Sequence, residues 1–220
     1  MAGQLQGEAA ASKPVRGGFD SRPGHQPYSG DIMIDLICIL DRSGSMSGTE
    51  KHVIDSFNEF IASQREKNEK MKVTLVLFDN EYELVHDRVD LKEVPELTAE
   101  TYYVRGMTAL NDAVGRTINK LSNKENAFVF IETDGMENAS REYSAENVRS
   151  LVKQKEKDGW EFMFVGSDLS AQQTQGMGAD LGILNTMSID KTSFGYNTRN
   201  ATVGATLAAY SAKVSGTDES

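Results

Sequence analysis

A single cysteine, Cys38, stands in the 220 residues, so no internal disulfide can hold this chain together. Cys38 lies inside an apolar run, and a small buried hydrophobe is the simpler reading of it than a reactive thiol. Long hydrophobic stretches are absent as well. No apolar run approaches the roughly 20 residues that a bilayer span needs. The first residues, Met1-Ala2-Gly3-Gln4-Leu5-Gln6, have neither a basic start nor an apolar stretch, so no signal peptide is expected and the cytoplasm is the expected compartment. Basic residues are also in deficit: 23 Lys and Arg face 33 Asp and Glu, a net charge of −10. That balance argues against a duplex nucleic-acid binder, which needs a basic face to displace counterions. An acidic surface kept for solubility explains the charge without any partner.

What the chain does have is an ordinary globular composition, 39% hydrophobic and 25% charged, at a length suited to one well-buried domain. Residues 1–30 are rich in Ala, Gly, Ser, Gln and Pro and cannot bury enough surface to offset ordering. They read as a flexible leader, a linker, or an arm that orders on a partner. Residues 31–215 read as one domain and 216–220 as a disordered tail.

Within the domain, apolar runs and amphipathic stretches alternate. Met33 to Leu40 is nearly continuous apolar sequence, the signature of a strand covered on both faces. A helix over 49–67 follows, with Val53, Ile54, Phe57, Phe60 and Ile61 on one stripe. Val73 to Phe78 and Tyr82 to Val89 are strands joined by Asp79-Asn80-Glu81, a link short enough only for an antiparallel pair. A helix over 109–121, a buried strand over 127–132 and a helix capped by Ser144 and ended at Gly159 come next. Strands over 161–166 and, more weakly, 186–189 precede a C-terminal helix carrying Val203, Leu207, Tyr210 and Val214. The expected fold is α/β: a doubly wound, mostly parallel six-stranded sheet with one antiparallel edge strand and helices on both faces. Where the chain reverses around the first strand, strand 127–132 should lie beside strand 33–40. Ligands bind outside the carboxyl ends at such a reversal, and both ends carry an aspartate, Asp41 and Asp134.

Asp41-Arg42-Ser43-Gly44-Ser45 offers three oxygens at alternate positions, and Gly44 and Gly48 let the backbone curl. Thr108 precedes the next helix, and Thr133-Asp134-Gly135 closes the neighbouring strand. Asp41, Ser43, Ser45, Thr108 and Asp134 form an all-oxygen set, suited to Mg²⁺, Mn²⁺ or Ca²⁺ and unsuited to structural zinc. The Asp-x-Ser-x-Ser triplet alone fits an ordinary helix N-cap equally well. An EF-hand is excluded by Met46 and His52 at its glycine and glutamate positions. A Walker A loop is excluded by spacing.

Asp-x-Ser-x-Ser after the first strand, a later Thr, and Asp-Gly after the fourth strand resemble the metal-ion-dependent adhesion site of von Willebrand factor A domains. The resemblance spans about residues 31–215. Phe57-Asn58-Glu59-Phe60 and the run from Glu132 to Ser140 are similar to small stand-alone domains of this kind from bacteria and phages. It implies direct coordination by Ser43, Ser45 and Thr108, with Asp41 and Asp134 acting largely through water. It also implies a vacant position that takes an Asp or Glu from a partner protein, with AAA+ ATPases or phage and host proteins among the partners relatives use.

Two rival functions follow from the same residues. One is a phage or bacterial assembly component in which metal is mainly structural. The other is a metal-dependent hydrolase. A haloacid-dehalogenase-like phosphatase would need an Asp where Ser43 stands, and Gly44-Ser45-Met46-Ser47-Gly48 has Met where a nucleophile elbow has Ser. No catalytic residue is therefore expected. Gly176-Met177-Gly178 lacks dinucleotide-loop spacing and reads as a loop. Lys153, Lys155 and Lys157 read as a solvated helix face. Met46, Met107 and Met136 each adjoin a proposed ligand loop and serve either as an adaptable apolar rim or as plugs.

Overall fold

A computed structural model describes residues 32–67 and 70–216. The leader expected over 1–30 and all but Gly216 of the tail lie outside the described residues.

The apolar runs become strands β1 (Ile34–Asp41), β2 (Met71–Phe78), β3 (Tyr82–Asp90), β4 (Ala127–Thr133), β5 (Glu161–Ser167) and β6 (Thr186–Ile189). Helices α1 (Glu50–Glu66), α2 (Leu110–Lys120), α3 (Ala145–Lys157), α4 (Ala171–Leu181) and α5 (Ser193–Val214) connect and flank them. The sheet order is β3-β2-β1-β4-β5-β6. Only the β2–β3 pair is antiparallel, with Phe78 opposite Tyr82 across the short polar turn.

Because side chains alternate along a strand, β1 feeds two cores. Ile34, Leu36, Cys38 and Leu40 pack under α1 and α5, while Ile37 and Ile39 pack under α2, α3 and α4. Asp35, the one charge inside that run, is buried and receives the Arg88 guanidinium at 2.5 and 3.2 Å.

Helix α4 corrects the loop expected around Gly176-Met177-Gly178. Gly176 and Gly178 each lower helix propensity by about 1 kcal/mol relative to Ala, which hides the helix from a periodicity reading. Packing restores it: a Cβ at position 178 would lie 2.5 Å from the Thr186 methyl, so only glycine lets α4 close onto β6. A capping box, Ser170 with Gln173, starts the helix and left-handed Gly182 ends it. Lys155 is a second correction. It is buried under the Trp160 ring and donates to the Ser122 carbonyl at 2.7 Å and to Asp158 at 2.9 Å.

The order places β1 between β2 and β4, paired in parallel with each. The chain reverses there, so the ends of β1 and β4 open side by side at one edge of the sheet.

Candidate metal centre

Asp41 is the last residue of β1 and is fully buried. One carboxylate oxygen accepts from the Ser43 amide at 2.6 Å, and the other accepts from the Thr133 hydroxyl at 2.5 Å. Burial pushes its carboxyl up to about 7, against the pull of those Thr133 and Ser43 hydrogen bonds, and the nearby Asp134 charge adds a little. Tyr102 donates to the Asp41 carbonyl at 2.6 Å and fixes the strand end from the other side.

The Ser43 and Ser45 hydroxyls lie 3.0 Å apart, and Ser45 donates to Asp134 at 2.5 Å. Thr108 arrives from the loop before α2. Its amide donates to the Asn138 side chain at 2.9 Å, and its carbonyl accepts from the Asn138 and Ala139 amides at 3.0 and 3.2 Å. Gly135 measures the convergence. A Cβ there would fall 2.9 Å from the Thr108 hydroxyl and 3.2 Å from that of Ser45, contacts that only a glycine avoids. The first loop is tied to the second by the Gly44 amide, which donates to the Gly106 carbonyl at 3.1 Å. Gly106 has a φ of +68°, and its α-carbon abuts the Asn80 side chain. The structure thus brings Ser43, Ser45, Thr108 and Asp134 to one spot at the sheet edge, with Asp41 anchored directly beneath.

A charged network behind this edge went unread in the sequence. Arg42 and Asp79 are fully buried, and the guanidiniums of Arg42 and Arg105 both donate to one Asp79 oxygen, at 3.0 and 2.7 Å. The Tyr103 ring covers both guanidiniums. The network locks the residues after β1 to the β2–β3 turn and to the loop bearing Thr108. Only the Asp79-Asn80-Glu81 turn was legible, because an ion pair spanning 37 residues leaves no local pattern. Lys191 is the other residue missed; its ammonium pairs with Asp134.

The donor set suits a hard divalent cation. Among the described residues no group of three or more His, Cys, Asp or Glu could hold a metal. This cluster has two carboxylates, with hydroxyls supplying the remaining oxygens, which is the chemistry of Mg²⁺ rather than of zinc. A groove of about 510 Å³ between α1 and α5 shares no residue with it. An ion held by side chains at a surface edge requires no such cavity.

Comparisons with solved structures return the same fold. The PilB minor pilin from Streptococcus sanguinis aligns with a TM-score of 0.62 at 13% identity, over 82% of this chain and 62% of that one. This chain thus spans less than two thirds of the pilin's length. The vWF domain of the type V pili tip protein Mfa5 from Porphyromonas gingivalis aligns with a TM-score of 0.59 at 10% identity, over 80% and 96% of the two chains. BatB from Bacteroides thetaiotaomicron, a conserved hypothetical protein, gives 0.54 at 11% identity, over 80% and 99%. At these identities the likeness establishes the fold. A comparison with curated proteins gives no significant match. Residues 29–160, however, match the family described as VWA domain containing CoxE-like protein. The chain belongs to that von Willebrand factor A family.

Proposed function

We propose that the chain is a non-enzymatic protein-interaction module that grips an acidic side chain of a partner through a divalent cation. Domains of this family commonly mediate protein–protein interaction and often bind a divalent metal. The observation that carries the reading is the meeting of the Ser45 and Thr108 hydroxyls over the bare α-carbon of Gly135, with the Asp134 carboxylate accepting from Ser45. Asp41, Ser43, Ser45, Thr108 and Asp134 would hold the ion, Mg²⁺ by hardness, with Mn²⁺ and Ca²⁺ as substitutes. When bound, the cation supplies an electrophilic position that a partner's Asp or Glu can fill. Hydroxyl ligands leave most of its charge unquenched for that purpose.

Both carboxylates are poorly placed for acid–base catalysis. Asp41 is fully buried and engaged by Ser43 and Thr133, and Asp134 is engaged by Ser45 and Lys191. Among the described residues no histidine hydrogen-bonds into the cluster. The methionines divide in a way that favours docking: Met46 is buried as a plug, whereas Met107 and Met136 are 53% and 61% exposed beside the ligand loops. They give a partner's acidic residue an adaptable apolar surround. Among the described residues no helix is long and apolar enough to cross a membrane. A cytoplasmic setting agrees with the unpaired Cys38, and in this reading the partner is an AAA+ ATPase or a phage or host protein that presents an Asp or Glu.

The test is capture of partners from a lysate of the source cells with Mg²⁺, with EDTA, and with Asp41→Ala. Partners retained in Mg²⁺ and lost in both other conditions, with an unchanged circular dichroism spectrum, support the reading. Retention in EDTA overturns it.

A further inference from the structure

Asp134 is a carboxylate with both oxygens engaged by the chain itself. One accepts the Ser45 hydroxyl at 2.5 Å, and the other pairs with the Lys191 ammonium. The same ammonium donates to the Ser45 carbonyl at 3.0 Å. Lys191 therefore bridges two separate ligand loops, the one after β1 and the one after β4, from the turn that follows the edge strand β6.

Its backbone is held where this requires. The Asp168 amide donates to the Ile189 carbonyl at 2.7 Å, pinning the end of β6. Thr192 caps α5 by accepting from the Gly195 amide at 3.1 Å and donates to Asp190 at 2.5 Å. The α-carbon of Gly195 packs so tightly on Asp190 that a Cβ would come within 2.2 Å of its carbonyl. The side chain is also confined. The Lys191 side chain is 22% exposed and that of Asp134 2%, so water screens this pair less than an ordinary surface pair.

We propose that Lys191 is a tethered counter-ion: in the metal-free protein it occupies the acidic edge of the cation site, and a divalent cation must displace it. This rests on the metal-dependent reading above. An ammonium and a divalent cation cannot share Asp134 without repulsion, so every metal-binding event works against the Lys191 contact. The lysine thus keeps the ligand loops assembled without metal and lowers the affinity for it.

The experiment is Mn²⁺ binding by isothermal titration calorimetry to wild type, Lys191→Met and Lys191→Arg, with melting curves in EDTA. Lys191→Met is expected to bind Mn²⁺ about fivefold more tightly, the ratio worth one confined ion pair, and to melt lower without metal. Lys191→Arg should behave as wild type. Wild-type binding with no gain in Lys191→Met overturns the tethered counter-ion and leaves the metal site standing. No Mn²⁺ binding to any protein overturns both. Should Lys191→Met fail to fold, the wild type still decides. Mg²⁺ should move the Lys191 ε-methylene NMR signals toward those of a solvated lysine, and unmoved signals in Mg²⁺-bound protein overturn the proposal.

Discussion

Replacing Gly135 by alanine isolates the cation site from the fold. Gly135 is not among the glycines with positive φ, so alanine meets no backbone strain there. The new methyl would lie 2.9 Å from the Thr108 hydroxyl and 3.2 Å from that of Ser45, where ordinary contact begins at 3.4 Å. The two oxygens must therefore retreat by about 0.5 and about 0.2 Å. Stability hardly registers this. Turning a hydroxyl rotor off its well costs about 0.5–1.5 kcal/mol, and the lost freedom of the unfolded chain returns about 0.4–1 kcal/mol. Metal binding does register it, because Mg²⁺ demands near-octahedral ligands at about 2.0–2.1 Å with tolerance of only about 0.2 Å. Thr108 then falls out of reach. Gly135→Ala should weaken Mn²⁺ binding by at least about tenfold, the effect of disturbing a ligand's support, while the unfolding free energy from urea melts in EDTA stays within about 1 kcal/mol of wild type. Titration calorimetry and urea melts read the two quantities separately. An alanine variant that binds Mn²⁺ as tightly as wild type refutes the placement of the ion over Gly135.

Two further predictions concern the support beneath the site. Arg199 on α5 is buried and pairs with buried Glu132, which also accepts from Ser167 at 2.9 Å. Arg199→Ala leaves that carboxylate without its cation two residues before Asp134 and should destabilise the fold by about 3–5 kcal/mol in urea melts; a loss below about 1 kcal/mol counts against a structural role for this buried pair. Burial raises the Cys38 thiol to about 12. The native thiol should resist Ellman's reagent at pH 8 and react only on unfolding. Because its folded value lies above the unfolded one, the protonated thiol favours the folded state, and this contribution to the pH dependence is lost as pH rises from about 9 to about 12. Rapid labelling of the native protein would contradict the burial.

The parts of the fold that periodicity reveals are those where one side chain type repeats. β1, β4 and β5 are buried on both faces, so their apolar runs need no partner to be recognised. The reversal beside β1 then followed from connection rules, and with it the neighbourhood of Asp41 and Asp134. Helix α4 escaped because its two glycines weaken the local signal while its stabilising contacts lie on β6. Its capping pair, Ser170 and Gln173, was the signal available. Lys155 escaped for a related reason: its place under Trp160 depends on how α3 meets β5.

The candidate site divides the same way, and the division has a physical cause. Its oxygens sit after the ends of β1 and β4 and, for Thr108, just before α2, where residue type and spacing suffice to expose them. Their charge balance does not reside there. Asp41 is buried and the Asp134 side chain is only 2% exposed, and nearby buried carboxylates are costly unless donors or a cation answer them. Asp41 is answered by donors, the Ser43 amide on one oxygen and the Thr133 hydroxyl on the other. Asp134 shows the cation answer in Lys191, supplied by the turn after β6, a strand too short to read with force from the sequence. A divalent ion would take the place of the Lys191 ammonium at Asp134. The lysine and the metal are thus alternative solutions to one electrostatic requirement, and that equivalence is why removing Lys191 should strengthen metal binding rather than weaken it.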